Sequence, residues 1–360
     1  MWTLTVNTRR ARLLDNASKL GCDCIAAFEP ENVFYVTGFW GEAIAICWRD
    51  SALLIAPKLE HTRAVKTSVG CDVVATERGS ELISTFVSEL GTSNACTDCT
   101  DRVFLASIEN EGVHMTLNSE PFFGARRIKD ENENRVISRA SGILDKLYEV
   151  CQEEIRSGMT ERELQARIVY EGMKLGANPP SYKSTLNPLI IGSGPNGALP
   201  HAEVTTRKFR NGDMIVVDLT LRHDGYIADA TRTFSLGFAT TEMKKVYGLV
   251  RDSQNAGLDA AVVGNSCGAV DFACRKLIDN NGYGQQFIHS TGHGIGLDVH
   301  EPPWLRPNNS EAIAEGMAIT VEPGIYLENK FGVRIEDSII IKNGRPQVLN
   351  KFTKELVVLK

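Results

Sequence analysis

The chain has 360 residues, of which 42% are hydrophobic and 23% charged, and a formal net charge of −6. That length exceeds one ordinary core and suits about two domains, the composition is that of a globular protein, and the negative balance gives a nucleic-acid backbone nothing to bind overall. No apolar run approaches the roughly 18 residues a membrane span needs, and the arginines at 9, 10 and 12 are not followed by the apolar stretch of a signal peptide. The first part alternates helices and short strands. A helix is predicted over 8–20 and strands over 24–28 and 33–36. Two further strands, 43–48 and 52–56, flank Arg49-Asp50-Ser51 as a hairpin whose apolar side carries Ile44, Ile46, Leu53 and Ile55. Leu82, Ile83, Phe86 and Leu90 form one stripe of a helix over 80–90. The nine cysteines are odd in number and sit mostly among apolar neighbours, so they read as free buried thiols of a reducing, cytoplasmic compartment. Cys96-x-x-Cys99 lacks the second pair that a zinc site needs.

Between 118 and 133, Pro121, Gly124 and the charged run from Arg126 to Glu131 suit a linker, dividing the chain into 1–125 and 126–360. A long amphipathic helix follows, with Val136, Ala140, Ile143, Leu144, Leu147 and Cys151 at helical spacing. Thr160 and Glu163 form a capping box for the next helix, which runs to about Leu175 with Leu164 and Ile168 inward. From Leu189 onward strands and loops dominate, interrupted by helices near 241–262 and 270–280. Gly192, Gly194 and Gly197 match G-x-G-x-x-G after an apolar strand, but Pro195 and Pro200 leave no helix for a dinucleotide phosphate. The glycines read instead as a tight loop.

The carboxylates carry the chemistry. Asp224-Gly225 is a two-residue turn signal between β-prone runs. Centring the turn there pairs His223 with Tyr226 and Thr220 with Asp229. Asp218, two residues from Thr220, then shares the face of Asp229 as a diagonal cross-strand neighbour. Either both aspartates lie on a solvated surface hairpin, or, buried side by side beside Val216, Val217 and Leu219, two like charges call for a neutralising cation; the apolar setting favours the second. Downstream, His293 and His300 lie seven apart in a glycine-rich segment, Glu322 ends an apolar strand, and Glu336 sits in another, 332–341. Four carboxylates and a neutral imidazole suit a dinuclear site for Mn²⁺, Co²⁺, Fe²⁺ or Zn²⁺. Arg334, two residues before Glu336 on the same strand, shares its face and is a candidate partner for a ligand carboxylate.

At these residues the sequence resembles the pita-bread metallopeptidases: methionine aminopeptidase, aminopeptidase P and Xaa-Pro dipeptidase (prolidase). The family order Asp, Asp, His, Glu, Glu falls on Asp218, Asp229, His293, Glu322 and Glu336. Their settings also match, in Asp229-Ala-Thr-Arg-Thr-Phe234, Gly292-His-Gly-Ile-Gly-Leu-Asp-Val-His-Glu301, Val321-Glu-Pro-Gly324 and Arg334-Ile-Glu-Asp337. Asn32-Val-Phe-Tyr-Val-Thr-Gly-Phe39 resembles the N-terminal domain of prolidases, aminopeptidase P and creatinase. The resemblance implies an α/β creatinase-like N-terminal domain followed by an α+β pita-bread catalytic domain. It implies two divalent ions, Mn²⁺ or Co²⁺ first, hydrolysis of the bond preceding proline in peptides with proline second, and a homodimer. It also implies roles: Glu322 as ligand and proton shuttle, and His201 and His300 as groups that bind substrate and stabilise the oxyanion.

Trp304 stands where compact prolidases often carry an arginine that meets the substrate carboxylate. Arg306 is therefore the substrate-binding candidate, and an aminopeptidase P acting on longer Xaa-Pro peptides is the rival reading. A non-catalytic pita-bread binding module is the alternative from another class; the intact ligand set speaks against it.

Overall fold

The structure, a computed structural model, describes residues 2–181, 185 and 187–360. The chain divides into two compact units, Met1–Arg126 and Arg127–Lys360.

In the first unit the elements run α1 (Trp2–Ser18), β1 (Cys24–Ala27), α2 (Pro30–Thr37), β2 (Ile44–Cys47), β3 (Ala52–Pro57), α3 (Lys58–Thr67), β4 (Asp72–Thr76), α4 (Ser80–Leu90), β5 (Ala95–Thr97), α5 (Arg102–Asn110), β6 (Thr116–Leu117) and α6 (Glu120–Arg127). The strands form a six-stranded sheet in the order β4-β3-β2-β1-β5-β6. The predicted β2–β3 hairpin is present, with Ile44 opposite Ile55 and Ile46 opposite Leu53. All four side chains join Phe86 and Leu90 of α4 in one apolar cluster.

Two expectations fail here. Residues 33–36 are helix, not strand. Pro30 in the first turn and Gly38 at φ 73° beyond the last supply start and stop signals that outweigh the β-propensity of Val33-Phe-Tyr-Val36. The supposed linker, 118–133, is helical: it holds α6 and the first residues of α7, and Phe122 and Ala125 of α6 are buried. Cys96 and Cys99 are both buried, and burial pushes their thiols up to about 12 and about 11, which suits inert packing groups.

The second unit contains α7 (Glu131–Glu154), α8 (Glu161–Lys174), β7 (Leu189–Ser193), β8 (Met214–His223), β9 (Tyr226–Leu236), α9 (Thr241–Ala260), α10 (Cys267–Asn280), β10 (Gly292–Gly294), β11 (Glu301–Leu305), β12 (Ala318–Val321), β13 (Gly324–Leu327), β14 (Phe331–Arg334), β15 (Asp337–Lys342), β16 (Arg345–Val348) and β17 (Val358–Leu359). One sheet has the order β17-β9-β8-β7, another the order β11-β10-β12-β15-β16, and β13 pairs with β14. Each larger sheet is backed by a helix pair. The apolar stripe of α7 and Leu164 and Ile168 of α8 pack on Ile215, Val217, Leu219 and Leu221 of β8 and on Ala228, Ala230 and Phe234 of β9. Val246 and Val250 of α9 and Val270 and Cys274 of α10 pack with Ile319, Val321, Ile339 and Ile341. Each large apolar side chain so buried contributes about 1.5–3 kcal/mol.

Capping boxes start both α7, through Asp130 and Glu133, and α8, through Thr160 and Glu163. The glycine motif at 192–197 forms a 3₁₀ turn, Gly194–Ala198, with Gly194 at φ 50°. A Cβ on Gly192 would lie 2.9 Å from the Cα of Gly197, so the glycines permit a close backbone crossing. Glu336 does not lie inside a strand as predicted. It occupies the break between β14 and β15, where the chain leaves the β13–β14 ribbon for the five-stranded sheet.

Candidate metal centre

The hairpin between β8 and β9 has the predicted register: His223 faces Tyr226, Thr220 faces Asp229 and Asp218 faces Thr231. Asp224 and Gly225 turn the chain at φ 48° and 88°. Strand alternation does the rest. Odd positions of β8 and even positions of β9 fill the helix-backed core, so Asp218, Thr220, Asp229 and Thr231 point to the opposite face. An isolated bridge, Thr231 to Glu336, with N–O distances of 3.1 and 3.4 Å, brings the β14–β15 break onto that face.

Asp218, Thr220, Asp229 and Glu336 line a cavity of about 910 Å³ together with His201, His289, His293, His300, Trp304, Glu322 and Arg334. One ligand atom each from Asp229, His293 and Glu336 lies within 4.8 Å of the other two, and all three residues are buried. Nε2 of His293 is 3.6 Å from Oε1 of Glu322 and 3.9 Å from Oδ2 of Asp229, beyond hydrogen-bond range. Nδ1 of His293 lies 3.1 Å from the carbonyl of Gly294. With the proton on Nδ1, Nε2 presents its lone pair to the carboxylates. Burial, then neighbouring His300, holds this imidazole down to about 3, so it is neutral.

The carboxyl groups are poised for a cation. Burial pushes Asp229, Glu322 and Glu336 well above the usual carboxylate range; the next causes are Asp218 for Asp229, Glu336 for Glu322 and Asp229 for Glu336. Thr220 donates to Asp229 at 2.9 Å and Thr231 to Glu336 at 2.8 Å. The second oxygens of Asp218 and Glu336 are buried with no hydrogen-bond partner among the described residues. Buried oxygens left open beside a neutral imidazole fit a divalent ion.

Arg334 is buried and anchors the cluster. Its guanidinium pairs with Asp218 and donates to Thr231 Oγ1 at 3.0 Å, Tyr326 Oη at 2.7 Å and the Pro200 carbonyl at 3.1 Å. It therefore steadies Asp218, on β8 of the neighbouring sheet, rather than Glu336, two residues along its own chain. His300 packs edge-on to His293 at 4.5 Å between ring centroids and stacks on Trp304 at 5.9 Å. Burial lowers its pKa, with His201 the next cause.

Arg306 is exposed and does not line this cavity; among the described lining residues the arginines are Arg162 and Arg334. The chain turns after Leu305, where the Arg306 amide bonds back to the Trp304 carbonyl at 3.1 Å. His289, which carried no motif of its own, also lines the cavity, with Nε2 at 3.0 Å from Tyr326 Oη. Its only sequence signal is its place just before the glycine-rich run.

Residues 135–343 match the metallopeptidase family M24, and residues 9–147 match the creatinase/prolidase N-terminal domain. The chain is 31% identical over 356 residues to an Xaa-Pro dipeptidase of Pyrococcus furiosus, covering 97% of this chain and 99% of that protein. It is similar to the solved prolidase from Pyrococcus horikoshii, with a TM-score of 0.89 at 30% identity over 97% of this chain and 99% of that one. It is also similar to an X-Pro aminopeptidase from Thermotoga maritima, with a TM-score of 0.85 at 28% identity over 96% and 100% of the two chains. The family works with divalent metal ions, in keeping with the open carboxylate oxygens around His293. Since the catalytic match alone spans more than half of the sequence, the chain belongs to metallopeptidase family M24, with a creatinase/prolidase N-terminal domain ahead of a pita-bread catalytic domain.

Proposed function

We propose that this enzyme is a prolidase, hydrolysing the bond before proline in Xaa-Pro dipeptides with two divalent ions, Mn²⁺ or Co²⁺ in preference to Zn²⁺ or Fe²⁺. The observation that carries this reading is the convergence of Asp229, His293 and Glu336 within 4.8 Å, with Asp218 and Glu322 lining the same cavity. Those five residues would hold the ions. Bound there, the ions would lower the pKa of a shared water and polarise the scissile carbonyl. A proline amide has no N–H, so a site that works on the carbonyl side suits it. Glu322, whose carboxyl is pushed up by burial, is suited to carry a proton between the nucleophile and the leaving nitrogen. His300, kept neutral by burial and then by neighbouring His201, can donate an N–H to the developing oxyanion.

Arg162 at the cavity wall replaces Arg306 as the cation offered to a dipeptide carboxylate. An aminopeptidase acting on longer Xaa-Pro peptides is the second reading. It is favoured by Trp304, which gives the wall an aromatic surface that a continuing chain can pass. The proposed domains, 1–125 and 126–360, lie one residue from the division into compact units. A cytoplasmic homodimer is the setting we propose. Nine free cysteines support the reducing compartment, and among the described residues no helix is long and apolar enough to cross a membrane.

The test is hydrolysis of Met-Pro, Met-Pro-Ala and Met-Ala by protein reconstituted with Mn²⁺ or Co²⁺. Met-Pro should be the best substrate. Preference for Met-Pro-Ala selects the aminopeptidase reading, and preference for Met-Ala removes the proline assignment.

A further inference from the structure

The loop between β7 and β8 carries Pro200, His201, Glu203 and Val204 to the cavity wall. Its tip is exposed at His201, and no hydrogen bond to that ring is made among the described residues. The place of the imidazole must therefore come from the backbone on either side.

Both stems of the loop end on one carboxylate. Glu161, at the first position of α8, is wholly out of solvent. Its Oε1 accepts from Ser193 N at 2.9 Å and Ser193 Oγ at 2.7 Å. Its Oε2 accepts from Asn196 Nδ2 at 2.9 Å, Thr205 N at 3.0 Å and Thr205 Oγ1 at 2.6 Å. Asn196 also reaches across the loop to the Glu203 carbonyl at 3.0 Å. A buried carboxylate is costly unless its lone pairs are filled. Here five donors fill them, and the N-terminus of α8 adds a favourable dipole. The donors belong to residues 193–205, 32–44 positions away in sequence. The energy of burying Glu161 is thus tied to one conformation of the loop.

We infer that Glu161 is a positioning residue for hydrolysis: by pinning both stems, it sets where His201 stands in the cavity. The inference rests on the role proposed above for His201. Glu161→Gln keeps the shape but turns one acceptor into a donor that faces donors, so one stem must move.

The experiment combines kinetics and hydrogen exchange on the Mn²⁺-loaded, full-length protein. In Glu161→Gln, kcat/KM on Met-Pro should fall about 100-fold, the scale of a misplacement near 1 Å. In a His201→Ala background the same substitution should cost less than about twofold, because residues that act as a unit are not additive. Peptides spanning 193–205 should exchange at least about tenfold faster, with β8 and β9 unchanged. Thr205→Val, which removes one donor, should show the same pattern with a smaller loss and serves if Glu161→Gln does not fold.

Equal losses in both backgrounds mean a general structural role and overturn the inference, as does unchanged exchange of the loop. If the unsubstituted protein hydrolyses no Xaa-Pro peptide, the functional reading falls by itself, and the exchange result alone decides whether Glu161 holds the loop.

Discussion

Nζ of Lys129 lies 3.2 Å from Oε2 of Glu301, and both side chains are almost wholly out of solvent. The other oxygen of Glu301 accepts from the amides of Leu297 and Asp298 at 2.9 and 3.1 Å. A Cβ on Gly296 would come within 2.8 Å of that oxygen, so the turn is wrapped tightly on the carboxylate. His300 is the residue before Glu301, and its place follows from this wrap. Lys129→Met leaves a buried carboxylate short of its counter-charge and should cost about 3–5 kcal/mol of stability. Denaturant unfolding of the metal-loaded protein measures it. Lys129→Met with Glu301→Gln should lose less than Lys129→Met alone; an equal or larger loss would mean that the pair is not what the site needs.

Metal removal should make stability depend on pH with a definite sign. Asp229, Glu322 and Glu336 have ordinary values of 3.8, 4.5 and 4.5 and are raised well above them in the folded chain. The metal-free folded state therefore binds more protons than the unfolded one above those values, and its stability falls as pH rises from about 4 toward the raised pKa values. An ion displaces the protons and removes the penalty. The difference in Tm between metal-loaded and chelator-treated protein should widen from about pH 5 to about pH 8. A constant difference would argue that these carboxyls do not hold the metal.

Asp229→Ala should abolish turnover while leaving far-UV circular dichroism near that of the parent. The substitution removes one of the three converging candidate ligands and leaves Thr220 Oγ1 without its acceptor. Elemental analysis should find less than the parent's metal per chain. Full activity with metal present would remove Asp229 from the essential set.

Arg334 joins Asp218, a proposed ligand, to the loop that carries His201, since one guanidinium serves both Asp218 and the Pro200 carbonyl. Lysine keeps the charge but not the fork of donors. Arg334→Lys should therefore behave like Arg334→Met, with kcat/KM lowered about 10- to 100-fold, the usual scale for groups that orient ligands. Rescue by lysine would show that only the positive charge matters.

How much of this was legible in the sequence depended on whether the information was local. Asp224-Gly225 announces its turn, and the period of two then carries Asp218 and Asp229 to one face; that register is observed residue for residue. The capping box at Thr160 is equally local. Val33 to Val36 misled because β-branched and aromatic residues also sit in a buried helix once Pro30 and Gly38 mark its ends. Around Glu336 the apolar run continues through the break and so reads as one strand; the change of sheet is made by a partner far away in sequence, at Thr231. Glu161 with Thr205, and Lys129 with Glu301, are pairings 44 and 172 residues apart. No period or turn signal encodes them. Arg306 looked nearest to the lost family arginine along the chain, yet the turn after Leu305 leaves it exposed, away from the cavity lining.

The two arginines should separate by substrate. Arg162 lines the cavity and is exposed, and among the described residues no hydrogen bond or ion pair occupies its guanidinium. A dipeptide ends in a carboxylate just beyond proline, whereas a longer peptide carries that charge further away. Arg162→Ala should therefore raise KM for Met-Pro with little change in kcat, the signature of lost uniform binding. A half-solvated charged hydrogen bond is worth about 1.5 kcal/mol, which is about tenfold. Met-Pro-Ala should be nearly unaffected, so the ratio of kcat/KM for the two peptides should move about tenfold toward the tripeptide. Arg306→Ala, outside the cavity lining, should leave both peptides unchanged. The assignment fails if Arg306→Ala shifts the ratio and Arg162→Ala does not. If neither shifts it and Met-Pro-Ala is already the better substrate, no cation waits for a dipeptide carboxylate, and Trp304 marks a wall along which a longer chain leaves the site.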